Sequence, residues 1–326
     1  MKKIRIGIIG YGNVSAGAAL AIYKASDMEL CAVFTRRDPK KVKLQEGSVP
    51  VLPIGEADHM TGDIDVMLLC TGSATDLPEQ GPYFAKKYNI VDSYDAHEKI
   101  PEYLSKVNIA AAANKKTAII SAGWDPGLFS LMRLYSDAML PEGETHTFWG
   151  PGVSQGHSDA IRRVDGVAHG VQYTIPVDSA VEEARGGGIL KLSPKQKHKR
   201  DCFVALKPGA DKDEVEEAIR HMPNYFEGYD TTVTFVEIEE LFEKHSKMPH
   251  GGMVLRGGIT GKSKQFMELS LRLDSNPEFT GSIMTAYARA AYRMNLEASY
   301  GAKTPLDIPP TYLSSKSRDE VIKQLL

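Results

Sequence analysis

Residues 4–15 read IRIGIIGYGNVS, an apolar run that ends at Gly10 and leads into an Ala-rich amphipathic segment. This pattern predicts a buried strand, a tight glycine turn and the start of a helix, which is the context of a dinucleotide-binding motif. Gly10 permits the turn, and Gly12 lets a pyrophosphate approach the backbone at the helix N-terminus. Ser15 stands where this motif usually has Gly or Ala. The stretch therefore predicts a nucleotide-binding domain.

Strand-like and helical patterns alternate from this motif as far as residue 121. Such alternation is typical of βαβ units that build a parallel sheet. We therefore predict an α/β domain over residues 1–121, with a Rossmann-type doubly wound parallel sheet. Strands are predicted at 4–9, 29–35, 66–70, 90–91 and 117–121, and helices at 13–24, 76–87 and 101–113.

The pattern changes after residue 140, where longer strands are separated by Gly, Pro and charged residues. Residues 265–274 alternate strictly between apolar and polar side chains, which predicts a strand with one face in water. Residues 277–296 carry an apolar stripe at helical spacing, and Asn276-Pro277 is a good helix start. We predict an α+β domain with a mixed sheet over residues 122–274.

The end of the second predicted strand indicates which nucleotide binds. NAD enzymes usually place an acidic residue here to hold the ribose 2′-hydroxyl. This chain has Thr35-Arg36-Arg37 instead. Two guanidinium groups favour a 2′-phosphate, so the sequence predicts NADP, although a solvated surface pair is the alternative.

Ligands of doubly wound folds bind where the parallel strands end, so the loops at these ends supply further predicted contacts. Asp76, in one of these loops, is predicted only to cap the helix that follows. The predicted NADP contacts are Gly10, Tyr11, Gly12, Asn13, Val14, Thr35, Arg36, Arg37, Cys70, Thr71, Gly72, Ser73, Ser93, Tyr94, Asp95, Ala122, Gly123, Trp124, Asp125 and Pro126.

Charge and cysteine content narrow the class of protein. The 39 basic and 42 acidic residues leave a net charge of −3, which favours neither nucleic acid nor an anionic membrane as a partner. Cys31, Cys70 and Cys202 are odd in number and widely spaced, so no disulfide is expected. The sequence lacks CxxC and HExxH motifs, and no metal site is expected. Without a signal-like segment, the chain is predicted to be cytoplasmic.

Tryptophan and histidine supply the remaining candidates. Trp124 and Trp149 are the only tryptophans, and each lies in a Gly/Pro-rich segment. Core packing is the commoner role for Trp. His250 lies between a proline and a glycine pair, which predicts a loop with a ligand contact.

Together these motifs resemble the meso-diaminopimelate D-dehydrogenase family. The similar stretches span nearly the whole chain. The most specific are WDPG at 124–127, FWGPG at 148–152, SQGHSDA at 154–160, HKR at 198–200 and MPHGG at 248–252.

The resemblance implies that NADP oxidises the D-configured centre of meso-2,6-diaminopimelate. The products are L-2-amino-6-oxopimelate, ammonia and NADPH, and the reverse reaction serves lysine biosynthesis. Family members are homodimers or larger. Their nucleotide domain is completed by a C-terminal segment, which here is residues 275–326, so that 122–274 forms the substrate-binding and dimerisation domain.

The resemblance also implies a set of substrate contacts. Arg200, Thr174 and His250 would hold the carboxylate beside the reacting centre, while Asp95 and Asp125 would engage amino groups and are candidates for the catalytic base. The contacts implied for the distal L-centre are Trp149, Gln155, Gly156 and Asn276.

Three alternatives remain open from the sequence. Aspartate or homoserine dehydrogenases and sugar oxidoreductases also combine a Rossmann domain with an α+β domain. The sugar enzymes often have Glu-Lys-Pro after the strand near residue 91, where this chain has VDSYD. A non-catalytic NADP-binding sensor would not need Arg200, His250 and Asp125 together.

Overall fold

The computed structural model describes residues 3–187 and 191–326. The chain forms two compact units: Met1–Leu131 with Pro277–Leu326, here the first unit, and Met132–Asn276, here the second unit. The first unit extends past the predicted boundary at residue 121. Ala122 is fully buried in its core, and the Ala122 N–H donates to the Asp92 carbonyl oxygen at 2.8 Å.

The secondary structure is dense throughout the described residues. As far as residue 139 the elements are β1 (Ile4–Ile9), α1 (Asn13–Lys24), β2 (Met28–Thr35), β3 (Val51–Pro53), β4 (Val66–Leu69), α2 (Leu77–Ala85), β5 (Asn89–Asp92), α3 (Ile100–Ala113), β6 (Thr117–Ile119) and α4 (Leu128–Met139). The later elements are β7 (Gly143–Trp149), β8 (Gly152–Val153), α5 (Gln155–Arg162), β9 (Val167–Pro176), α6 (Asp178–Arg185), α7 (Pro194–Lys197), β10 (His198–Leu206), α8 (Lys212–Arg220), β11 (Asp230–Phe235), α9 (Ile238–His245), β12 (His250–Thr260), β13 (Ser263–Leu273), α10 (Asn276–Leu296), β14 (Gly301–Lys303) and α11 (Arg318–Leu325).

The first unit contains a parallel sheet with the strand order β14-β6-β5-β4-β1-β2-β3. Six of these strands follow the doubly wound order, in which nucleotides bind where the order reverses, between β1 and β4. The predicted Rossmann-type fold is confirmed. The short strands β3 and β14 were not predicted, and β14 comes from the C-terminal segment.

The second unit contains two sheets. In the sheet β11-β10-β9-β8, β10 pairs with β11 in parallel and with β9 in antiparallel orientation. The sheet β13-β12-β7 is antiparallel. The predicted α+β character with a mixed sheet is confirmed. The prediction of a loop around His250 is wrong, because β12 begins at that residue.

The C-terminal segment packs closely on the glycine-motif helix of the first unit. A Cβ at Gly17 of α1 would lie 2.4 Å from Glu278 Cα, and one at Gly281 of α10 would lie 2.5 Å from the Val14 carbonyl oxygen. The two helices touch backbone to backbone because both contact positions are glycine. No helix in the described residues is both long and apolar enough to span a membrane.

Candidate active site

The glycine turn after β1 has the form that a dinucleotide requires. Gly10 has φ +84°, and a Cβ there would lie 2.9 Å from the Cys70 carbonyl oxygen, so only glycine fits. A Cβ on Gly12 would meet nothing within 4 Å, which leaves open space at the N-terminus of α1. Ser15 Oγ accepts the Gly12 N–H at 2.6 Å and so closes the first turn. The turn and the space fit a pyrophosphate.

Two arginines after β2 stand beside this turn. The Arg37 guanidinium donates to the Tyr11 carbonyl oxygen, and the Arg37 N–H donates to Thr35 Oγ1 at 3.1 Å. Arg36 forms a two-point ion pair with Asp76, with N–O distances of 2.8 and 2.7 Å. The Arg36 side chain remains 59% exposed, so a phosphate can reach it.

Asp76 is the N-cap residue of α2, but its side chain makes no capping hydrogen bond there. Its carboxylate accepts the Gly72 N–H at 3.1 Å and binds Arg36, which lowers the pKa of Asp76. Asp76 therefore holds the guanidinium of Arg36, a residue predicted to bind the 2′-phosphate. Sequence reasoning missed this role because the two residues lie far apart in the chain.

The loops after β4 and β5 are joined by a serine–aspartate contact. Ser73 Oγ donates to Asp95 Oδ1 at 2.5 Å and accepts the Asp95 N–H at 3.0 Å. The Asp95 side chain is nevertheless exposed. Burial raises the pKa of the Cys70 thiol in the same region to about 12, which disfavours the thiolate form.

The loop after β6 is a tight turn. The Gly123 N–H donates to the Pro126 carbonyl oxygen at 3.0 Å, and the Leu128 N–H donates to the Gly123 carbonyl oxygen at 3.1 Å. Trp124 is only 7% exposed and packs edge-on against Phe129, which is the core-packing role. Asp125 lies on the same turn and is half-buried.

In the second unit, the chain leaves the antiparallel sheet after β7 and enters the mixed sheet at β8. Gly150 lies between these two strands. Gly150 follows β7 with φ +100°, and a Cβ there would lie 2.0 Å from the Thr174 carbonyl oxygen. On either side of it, Trp149 pairs with Gly252 of β12, and Gly152 pairs with Thr174 of β9. The FWGPG motif thus places Trp149 close to Thr174, at the point where the chain passes from one sheet to the other.

Arg200 lies beside Thr174 in this sheet and is 7% exposed. Its Nη1 donates to Thr174 Oγ1 at 2.8 Å, and its Cζ lies 4.2 Å from the centre of the Tyr229 ring. Among the described residues, no carboxylate pairs with Arg200, and its buried Nε has no hydrogen-bond partner. Desolvation lowers the pKa of the guanidinium, which nevertheless stays charged at neutral pH. A buried cation without a counter-ion is a receptor for an anionic ligand.

Three histidines of this region are neutral at pH 7. Burial lowers the pKa of His157 and of His198 to about 4, and it also lowers the pKa of His250. His198 accepts the Trp149 N–H at Nε2 (2.9 Å) and stacks on the Trp149 indole. His250 Nδ1 lies 2.8 Å from the Gly251 N and 3.0 Å from the Gly251 carbonyl oxygen.

The other predicted substrate contacts lie at two helix starts. Gln155 and Gly156 form the exposed first turn of α5. Asn276 is the first residue of α10, and its N–H donates to the Met248 carbonyl oxygen at 2.9 Å, beside the MPHGG motif. Within residues 3–187 and 191–326, His, Cys, Asp and Glu form no group of three that could hold a metal ion.

Comparisons with known proteins agree with this geometry. Residues 123–275 match the diaminopimelic acid dehydrogenase C-terminal domain. The chain is 57% identical over 327 residues to the meso-diaminopimelate D-dehydrogenase of Ureibacillus thermosphaericus, covering 100% of both chains. The solved structure of C. glutamicum DAP dehydrogenase in complex with DAP is 44% identical and has a TM-score of 0.93, with 100% of both chains covered. An engineered D-amino acid dehydrogenase bound to NADP+ is 43% identical, with a TM-score of 0.88 and the same coverage.

Proposed function

The chain belongs to the meso-diaminopimelate D-dehydrogenase family, and we propose that it oxidises the D-configured centre of meso-2,6-diaminopimelate with NADP. The substrate and water give L-2-amino-6-oxopimelate, ammonia and NADPH. The reaction is reversible, and its reductive direction supplies diaminopimelate for lysine biosynthesis. Because the chain belongs to this family, the alternatives of a sugar oxidoreductase, an aspartate or homoserine dehydrogenase and a sensor are not favoured.

The observation that carries the substrate proposal is the buried, unpaired charge of Arg200. A fork-shaped cation in a desolvated site fixes both the charge and the orientation of a carboxylate. We assign Arg200, with the Thr174 hydroxyl and the His250 imidazole, to the carboxylate beside the reacting carbon. The hydrogen bond between Arg200 and Thr174 already holds the guanidinium in place.

The remaining substrate groups need acceptors for ammonium and contacts for the distal end. We assign Asp95 and Asp125 to the amino groups. The distal L-centre is assigned to Trp149, Gln155, Gly156 and Asn276.

The protein must supply orientation and a proton acceptor. NADP, when bound, accepts hydride from the D-configured Cα. Only an uncharged amine readily gives up that hydride, so the ammonium group must first lose a proton. Asp95 and Asp125 are the candidate bases, acting directly or through water. Asp95 is held by Ser73, and Asp125 stands on the closed turn after β6.

NADP itself is assigned to the first unit. We place the pyrophosphate at the open space over Gly12 and the 2′-phosphate at Thr35, Arg36 and Arg37, where the Arg37 N–H donates to the Thr35 hydroxyl and the Arg36 side chain remains exposed. The loops that follow β4, β5 and β6 supply the other proposed contacts. These are Cys70, Thr71, Gly72, Ser73, Ser93, Tyr94, Asp95, Ala122, Gly123, Trp124, Asp125 and Pro126, with Gly10, Tyr11, Asn13 and Val14 in the glycine turn.

Parallel assays with three stereoisomers test this function. NADPH formation should be fast with meso-diaminopimelate and absent with the LL isomer, which has no D-centre. The DD isomer should react poorly, because its distal centre has the wrong configuration for the proposed contacts. NADP binding without turnover of any isomer would instead indicate a sensor.

We also propose that the protein is a homodimer. Met267, Leu269 and Leu271 form an apolar row on the edge strand β13 and stay half-exposed. A second copy would cover this row. Light scattering should report twice the chain mass, and Leu269→Glu should give the single-chain mass.

A cytoplasmic location is proposed from the three cysteines, all of which are free thiols. Thiol titration of unreduced, denatured protein should find all three.

A further inference from the structure

Asp92 is a buried carboxylate that the proposed reaction leaves without a role. It ends β5 and is 0% exposed. No cation pairs with it in the described part of the chain, and burial raises its pKa to about 6. In the described residues, the polar groups that interact with it are the Tyr103 and Tyr94 phenols, two backbone N–H groups and the Cys70 thiol. Such a position disfavours a charge, so its occupation by an acid needs an explanation.

The hydrogen bonds of Asp92 give that explanation. Its Oδ1 accepts the Tyr94 N–H and the Ser121 N–H, both at 3.0 Å. Its Oδ2 accepts the Tyr103 hydroxyl at 2.7 Å. The Asp92 backbone carbonyl oxygen also accepts the Ala122 N–H at 2.8 Å. One residue therefore binds the backbone of the loop after β5 and of the loop after β6.

These two loops carry the two proposed bases. Tyr94 immediately precedes Asp95, and Ser121 opens the loop whose closed turn carries Asp125. Ser121 has φ +57°, a left-handed conformation that a serine adopts only when its surroundings impose it. The hydrogen bond from its N–H to Asp92 supplies such a restraint.

We propose that Asp92 is a positioning residue, which fixes the placement of Asp95 and Asp125 by holding the backbone of both loops. This inference rests on the proposed function. A carboxylate suits the task because one oxygen accepts two N–H groups, and an ionised acceptor makes shorter and stronger bonds than a neutral one. Tyr103 orients the carboxylate by binding its second oxygen.

The decisive comparison is between two replacements of nearly the same shape. Asp92→Asn keeps an oxygen for both N–H groups, whereas Asp92→Leu fills the space without an acceptor. A small misplacement of reacting groups slows a reaction strongly, so Asp92→Leu should lower kcat for meso-diaminopimelate about a hundredfold. Asp92→Asn should restore kcat to within about fivefold of the parent, since neutral bonds hold the loops less firmly.

Two measurements distinguish a positioning role of Asp92 from a general loss of folded enzyme. Misplaced reacting groups slow hydride transfer, so Asp92→Leu should raise the primary isotope effect on kcat with substrate deuterated at the D-centre. A smaller fraction of folded enzyme would leave that isotope effect unchanged. Amide hydrogen exchange at Tyr94 and Ser121 should become faster in Asp92→Leu, and this measurement does not depend on activity.

If Asp92→Leu does not fold, Tyr103→Phe decides, with Tyr88→Phe as its matched control. Tyr88 is an equally buried tyrosine of the same core, and its hydroxyl donates to the Ala57 carbonyl oxygen. Tyr103→Phe should lower kcat about tenfold and raise the isotope effect, whereas Tyr88→Phe should change neither.

Failure of this inference and failure of the function are distinguishable. An unmodified protein that does not oxidise meso-diaminopimelate overturns the function. An active protein whose folded Asp92→Leu variant keeps kcat within about threefold, with the parent isotope effect, overturns the role of Asp92 alone. Equal behaviour of Tyr103→Phe and Tyr88→Phe does the same.

Discussion

Replacing Arg200 by methionine should separate activity from stability. The change removes a cation that is 7% exposed and that, among the described residues, contacts the Thr174 hydroxyl and the Tyr229 ring. In the complex, the substrate carboxylate would then be buried without a positively charged partner, at a cost of about 3–5 kcal/mol. At 1.36 kcal/mol per decade, kcat/KM for meso-diaminopimelate should fall by at least about a hundredfold.

The free enzyme should respond in the opposite sense. Arg200 has no counter-ion among the described residues, so no ion pair offsets the free-energy cost of desolvating its charge. An apolar side chain of similar length removes that penalty, and the melting temperature should stay the same or rise. The NADP dissociation constant should not change, because the proposed NADP contacts all lie in the first unit.

Arg256→Met is the matched control. Arg256 is 3% exposed and belongs to the same unit, but its guanidinium is fully engaged. It donates to the Leu140 carbonyl oxygen at 2.8 Å and to Thr145 Oγ1 at 2.7 Å, and it pairs with Asp137 at 3.1 Å. Its loss leaves a buried carbonyl unsatisfied, so stability should fall by about 1–3 kcal/mol.

The assays are initial rates over a range of substrate concentrations, with thermal unfolding of the same samples. If Arg200→Met keeps kcat/KM within a factor of about three, its charge is worth under 1 kcal/mol, as expected for a surface residue. The proposed carboxylate site is then wrong at its centre.

Three further outcomes are expected. Neutral replacement of both Arg36 and Arg37 should weaken NADP by one to two decades and leave NAD nearly unaffected, since a charge-assisted bond is worth about 1.5–3 kcal/mol; equal losses for both nucleotides in a binding titration would remove the 2′-phosphate assignment. Gly12→Ala should fold with an unchanged melting temperature, because its Cβ meets nothing within 4 Å, yet bind NADP more weakly; unaltered NADP affinity would mean that the pyrophosphate lies elsewhere. Burial lowers the pKa of His157 and of His198 from 6.5 to about 4 in the folded protein. The free energy of unfolding should therefore be highest above pH 6.5 and should fall by up to about 3 kcal/mol for each histidine as the pH decreases toward 4. Urea unfolding at a series of pH values should show this decrease, and replacing both histidines with Asn should reduce it.

The parts of the fold that the sequence predicted are those with strong local signals. β1 and α1 match their predicted bounds, because a solid apolar run and an Ala-rich helix are separated by a glycine turn. β3 and β14 were missed because each has only three residues and exists through pairing with a neighbour. Such strands carry no pattern of their own.

The misassigned start of β12 has a specific cause. The glycines after His250 resemble a turn, but a Cβ at Gly251 would lie 2.2 Å from the Leu271 carbonyl oxygen of β13. Glycine is required there for close approach within a sheet rather than for chain reversal. A single sequence does not distinguish these two uses of the residue.

The sequence proposes site residues that lie within a motif and misses contacts that the tertiary structure creates. The arginines after β2 are proposed as NADP contacts from their spacing to the glycine turn. The partners that orient such groups, including Asp76 for Arg36 and Tyr229 for Arg200, lie far away in the chain. Their identity depends on which loops the fold brings together.

The return of the C-terminal segment to the first unit sets an order for biosynthesis. The second unit is continuous in the chain and ends at Asn276, so its residues are synthesised before the rest of α10. The nucleotide-binding unit lacks β14 and the helix that packs on Gly17 until residues 277–303 have been synthesised. A polypeptide truncated near residue 276 therefore contains every residue of the second unit and leaves the nucleotide unit with an uncovered helix and an unpaired sheet edge. The segment that ends at Leu131 therefore completes its sheet and its helix packing only after the second unit has been synthesised.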